Sequence, residues 1–163
     1  MKLKIIQVGN SILRKESKRI SKIDDSIRTL CYDMIETMYA NDGVGLSAPQ
    51  VGILKRIVIM DESGTPRVFI NPEIRSTSEE RCRMKEGCLS VPNVFLSILR
   101  YDSIHIRYRD IEGKPQYETF TDLSARILQH EMDHLDGLIF TDYEYEKTLD
   151  NLGESIGTKS IFI

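Results

Sequence analysis

The chain contains His130-Glu131-Met132-Asp133-His134, two imidazoles four positions apart with a carboxylate between them. On an α-helix residues i and i+4 share a face, so both rings can reach one metal ion while Glu131 reaches a water beside it. The alternative is a pair of histidines satisfied by hydrogen bonds alone. It would bury two imidazoles and a carboxylate among apolar neighbours without a use for them, which is costly. A catalytic metal site commonly takes three protein ligands and leaves a position for water, so the third ligand decides the class of chemistry. The HExxHxxGxxH type of site is excluded, because Gly137 fits that pattern but Phe140 stands where its third histidine belongs.

Two candidates for the third ligand remain. Glu154, with His130 and His134, would make a zinc peptidase, but it lies between Gly153 and Gly157 in a segment of weak helical character. Cys88, in Glu86-Gly87-Cys88-Leu89-Ser90, is the stronger one. A thiolate suits a borderline-soft ion better than a carboxylate does, and a glycine before it lets the backbone pass close to the ion. Cys31 falls on an apolar helical stripe and reads as core, while Cys82, between Arg81 and Arg83, reads as incidental. Three cysteines without CxxC spacing indicate neither a disulfide scaffold nor a zinc knuckle.

Three stretches together resemble the peptide deformylase family. Gly43-Val44-Gly45-Leu46-Ser47-Ala48-Pro49-Gln50 is similar to GxGLAAPQ, Glu86 to Ser90 matches EGCLS, and Gln129 to Gly137 matches QHExDHLxG, in the family's order. The resemblance implies a hydrolase that removes the formyl group from the N-terminal methionine of newly made proteins and releases formate. It implies one divalent metal ion, Fe(II) by family, with Zn(II), Ni(II) or Co(II) compatible with the same donors, held by Cys88, His130 and His134. Glu131 would move protons, and Gln50 with the Leu89 backbone N–H would stabilise the developing oxyanion. It further implies that the Gly45 backbone binds the peptide, that Val44, Leu123 and Ile127 wall the methionine pocket, and that Glu86 and Arg100 form a pair orienting the ligands.

The chain departs from the family pattern in three places. Ser47 replaces the usual alanine. Arg126 stands where an apolar residue is frequent, and is expected at the pocket mouth. The chain finishes Ser160-Ile161-Phe162-Ile163, which reads as a strand and not as the basic helix some members carry. Docking to the ribosome through such a helix is therefore not expected.

The elements that must position these residues can be read from periodicity. From Asp24 to Ala40 apolar residues recur at helical spacing through Ile27, Leu30, Cys31, Met34, Ile35 and Met38, with Asp24 or Asp25 as N-cap and Asn41-Asp42-Gly43 as the stop. From Asp122 to Asp136 a second helix places Leu123, Ile127, His130 and His134 along one stripe, closed by Gly137. Lys55 to Asp61 and Arg67 to Ile70 read as a hairpin around Ser63-Gly64-Thr65-Pro66. Ile98 to Arg109 reads as one strand, alternating at Ile104, Ile106 and Tyr108, and turns at Asp110-Ile111-Glu112-Gly113 into Gln116 to Thr121. The fold expected is α+β, with short antiparallel strands and hairpins packed around a central helix that carries HExxH.

The length of 163 residues, without repeats or a linker, suits one domain covering 1–163. The 22 Lys and Arg against 25 Asp and Glu are interspersed, so no phosphate-binding stripe suggests nucleic acid. No segment approaches the ~20 apolar residues of a membrane helix, and the apolar stretch near Met1 is too short for a signal-peptide core. The expected compartment is the cytoplasm and the expected partner an N-formylmethionyl nascent peptide.

Overall fold

A computed structural model of the protein describes residues 1–143 and 161–163. Helix α1 spans Asp25–Ala40 and helix α2 spans Asp122–Leu135. The strands are β1 Gly45–Ser47, β2 Ile57–Met60, β3 Arg67–Thr77, β4 Arg81–Cys88, β5 Val91–Tyr101, β6 Ser103–Arg109, β7 Pro115–Thr121 and β8 Ile161–Phe162. One sheet has the order β1-β2-β3-β6-β7 with every pair antiparallel, and a smaller one has the order β5-β4-β8. The fold is α+β, as the periodicity predicts.

The two helices use opposite faces of the larger sheet. Ile57 and Ile59 join the cluster built on α1, with Cys31, Met34, Met38, Leu46 and Ile70. Val58 and Met60 join the cluster built on α2, with Phe69, Ile104, Ile106, Phe120, Ile127 and Leu128. Because successive strand side chains point to opposite faces, β2 is buried at all four positions and reads as a continuous apolar run.

Helix α1 starts where the sequence places it: Asp24 is extended and its carboxylate accepts from the Ile27 N–H at 3.1 Å. Beyond the end of α2 Gly137 takes φ +75°, and a Cβ there would meet the Arg14 carbonyl oxygen at 2.6 Å, so only glycine lets the chain turn against Arg14. The hairpin of β2 and β3 forms as expected.

One expected element is corrected. The stretch from Ile98 to Arg109 is two strands divided at Asp102. Residues to Tyr101 pair with β4 in the small sheet, and residues from Ser103 pair with β3 and β7 in the large one. At the division the Asp102 N–H donates to the Glu80 carbonyl and its own carbonyl accepts from Asp122 N–H at the start of α2. Backbone partners at this corner decide the change of sheet, and side-chain alternation carries no record of them.

Candidate metal centre

Helix α2 buries a polar face. Arg126, Gln129, His130, Glu131 and His134 are all buried on it, beside apolar Ala125, Ile127, Leu128 and Leu135. Cys88 comes to this face from the last residue of β4, where the ladder with β5 shifts register after Gly87. One ligand atom each from Cys88, His130 and His134 falls within 4.8 Å of the others. Cys88 Sγ is 3.4 Å from His134 Nε2. Gln50, fully buried on the 3₁₀ turn Ala48–Val51, aims its Nε2 at the same thiol from 3.7 Å.

The donor set fits a metal ion. Buried and without a hydrogen-bond partner are His130 Nε2 and both Glu131 carboxylate oxygens, polar atoms that folding would not bury idle. Burial, reinforced by Glu131, pushes the Cys88 thiol up to about 12, so a thiolate there calls for a cation beside it. Burial and next the neighbouring His130 hold His134 well below its ordinary value, in the neutral form that donates a lone pair. Burial also pushes Glu131 well above the usual carboxylate range.

A buried ionic lattice orients His130. Its Nδ1 lies 2.8 Å from Glu86 Oε1, which leaves Nε2 for the ion. Glu86 is held bidentately by Arg100, Nε and Nη2 both at 2.9 Å, and Arg100 Nη1 goes on to Asp133 at 2.7 Å. Burial alone would raise the Glu86 carboxyl, but Arg100 together with His130 outweighs it and holds the group well below its ordinary 4.5. The Glu86–Arg100 pair is interior, not a surface salt bridge.

Arg126 is corrected. It is not at a pocket mouth but buried behind the site, with Nη1 at 2.5 Å from Glu86 Oε2 and 2.9 Å from the Ile98 carbonyl, and Nη2 at 2.8 Å from the Cys82 carbonyl. It thus ties α2 to both β4 and β5. Ser47 has a use that its smallness hides: its N–H and hydroxyl both donate to Gln50 Oε1 at 2.9 Å, which turns the Gln50 amide nitrogen toward Cys88. Gly45 lies so close to α2 that a Cβ would sit 2.8 Å from Ile127 Cγ2 and 2.9 Å from Glu131 Oε1. Val44 and Leu123 pack on the cluster that contains Ile127. Asp133, which extends the lattice from Glu86 through Arg100, belongs to the third motif, whose pattern alone carries no sign of that ion pair. Glu154 lies outside the described residues.

A family profile described as polypeptide deformylase matches residues 2–149. The chain belongs to the polypeptide deformylase family. A peptide deformylase of Synechocystis is 48% identical over 145 residues, covering 86% of this chain and 78% of that protein. One from Pseudothermotoga lettingae is 50% identical over 139 residues, covering 85% and 81%. Among solved structures, the peptide deformylase of Thermotoga maritima superposes with a TM-score of 0.86 at 41% identity, covering 87% of this chain and 97% of that one. That of Synechococcus elongatus, solved in complex with actinonin, gives 0.85 at 41% identity and covers 94% of this chain and 87% of its own. Enzymes of the deformylase family use a divalent metal, and Cys88, His130 and His134 form a group that could hold one here. Among the described residues no helix is long and apolar enough to cross a membrane.

Proposed function

We propose that this chain is a peptide deformylase, one catalytic domain over 1–163 that hydrolyses the formamide of N-formylmethionyl nascent peptides in the cytoplasm. The observation that carries the reading is the convergence of Cys88, His130 and His134 within 4.8 Å beside the unpartnered Glu131 carboxylate. Cys88, His130 and His134 would hold the ion. Two imidazoles and a thiolate suit several divalent metals and the intrinsic affinity order favours others over iron, so the assignment to Fe(II) rests on the family resemblance.

When bound, the ion supplies Lewis acidity, lowering the pKa of the attacking water and polarising the formyl oxygen. Glu131 accepts the proton that water loses as its oxygen bonds to the formyl carbon, and delivers a proton to the amine nitrogen as the C–N bond breaks. Formate and a free N-terminus result. Burial, which favours the protonated carboxyl, suits Glu131 to that second step. Gln50 Nε2, with its carbonyl end fixed by Ser47, and the Leu89 N–H donate to the charge growing on the formyl oxygen. Glu86, set by Arg100, fixes the His130 tautomer. Gly45 supplies backbone to the peptide at close range, and Val44, Leu123 and Ile127 take the methionine side chain. Among the described residues nothing supports a ribosome contact.

The test is formate release from a formyl-Met tripeptide by anaerobically purified protein whose metal is quantified in the same sample. Release confined to the formylated peptide, with no internal cleavage, is expected; none from fully loaded protein would reject the reading. Glu131→Ala should lower turnover about 10²–10⁴-fold with the metal retained.

A further inference from the structure

Strand β8 lies parallel to β4 at the end that carries Cys88, with Ile161 opposite Glu86 and Phe162 opposite Gly87. The pairing continues one residue further. The Ile163 N–H donates to the Gly87 carbonyl at 3.1 Å, and the Leu89 N–H donates to the Ile163 carbonyl at 3.3 Å. These two backbone groups flank Cys88. The Ile163 side chain is wholly buried, in the cluster that contains Ile127 and against which Val44 and Leu123 pack. An extended segment therefore uses the edge of β4 for main-chain bonds, a single N–H donor beside the thiol for a carbonyl, and an apolar pocket for one side chain. Strand addition to a sheet edge with alternate side chains in pockets is a general mode of peptide recognition.

Each of these groups is already assigned to the substrate. Leu89 has one N–H to give, and Ile163 already packs with the residues assigned to the methionine side chain. We propose that residues Ile161 to Ile163 occupy the peptide cleft as a substrate-like competitor, so that a formylated peptide binds only when this strand leaves. The proposal rests on the deformylase reading for its consequence in catalysis, but the occupancy itself does not.

A tethered ligand acts at an effective concentration of order 1 mM, so even a segment with weak intrinsic affinity holds a sizeable share of the clefts closed. Competition of this kind multiplies KM by one plus the closed-to-open ratio and leaves kcat alone. Ile163→Asp in the full chain places a charge in the apolar pocket and expels the strand. KM for a formyl-Met tripeptide should then fall about two- to tenfold at unchanged kcat. The free peptide Ser-Ile-Phe-Ile should inhibit the variant competitively. Amide hydrogen exchange at Leu89 should be slow in the parent and fast in the variant, a readout that needs no turnover. An unchanged or raised KM with a lowered melting temperature would make Ile163 an ordinary core residue, and equal Leu89 exchange in the two proteins would overturn the occupancy. Absence of deformylation in both proteins, with Leu89 exchange still different, would instead overturn the assigned activity and leave the strand in its cleft.

Discussion

Helices α1 and α2 cover opposite faces of one sheet, and α1 carries a buried cysteine where α2 has one beside it, but they bury different chemistry. The buried residues of α1 are Ile27, Cys31, Met34, Met38 and one hydroxyl, Thr37, whose Oγ accepts from Leu3 N–H and donates to the Asp33 carbonyl. Those of α2 include a guanidinium, an amide, two imidazoles and a carboxylate. Burial pushes Cys31 and Cys88 alike up to about 12. Burial and acidity therefore do not mark a ligand. What separates the two thiols is company: Cys31 sits among aliphatic side chains, whereas Cys88 meets His134 at 3.4 Å and Gln50 at 3.7 Å.

The sharpest break of that comparison replaces the cysteines one at a time. Cys88→Ala should strip the metal and reduce formate release to below about one per cent of the parent, since even changes behind the ligands cost 10–100-fold. Cys31→Ala should keep metal and turnover and lose roughly 1–2 kcal/mol of stability to a small cavity. Metal analysis and urea unfolding on both proteins read this. Metal loss in the Cys31 variant would end the distinction.

The arginines extend it. Arg126 on α2 is buried on Glu86, whereas Arg28 on α1 pairs with a fully solvated Asp25 at 3.1 Å. Removing one partner of a buried ion pair costs roughly 3–5 kcal/mol and removing a surface one at most about 1. Arg126→Ala should therefore lose stability on the larger scale and weaken metal binding about 10–100-fold, while Arg28→Ala changes neither noticeably. A loss at Arg126 as small as at Arg28 would show that Arg100 alone suffices to hold Glu86.

The smallest difference lies at the helix starts. Asp24 caps α1 with its side chain, whereas Thr121 precedes α2 without a side-chain cap bond. Asp24→Ala should cost about 1 kcal/mol in thermal or urea unfolding, and Thr121→Ala only a few tenths. Equal losses would mean that packing, not capping, defines where α1 begins.

Several features were legible in the linear pattern because they are local. The 3.6-residue period puts His130 and His134 on one face whatever surrounds them, Asp24 sits where an N-cap must, and the two-residue period of Ile104, Ile106 and Tyr108 marks the inward face of β6. The continuous apolar run of β2 already signals cover on both faces. The motif resemblance named Cys88, Gln50, Glu86 and Arg100 together, and all of them meet at the site.

Long-range closure decided the rest. Cys88 reaches His134 across 46 positions, and Arg126 reaches Glu86 across 40. Such contacts depend on how two sheets are set about α2, for which no short window of residues carries a signal. A long, flexible arginine reads equally as a pocket rim or a buried clamp until its surroundings are folded around it. The division at Asp102 and the insertion of Ile163 beside Leu89 have the same origin: both are settled by backbone partners brought from elsewhere in the chain, and side-chain pattern is silent about them.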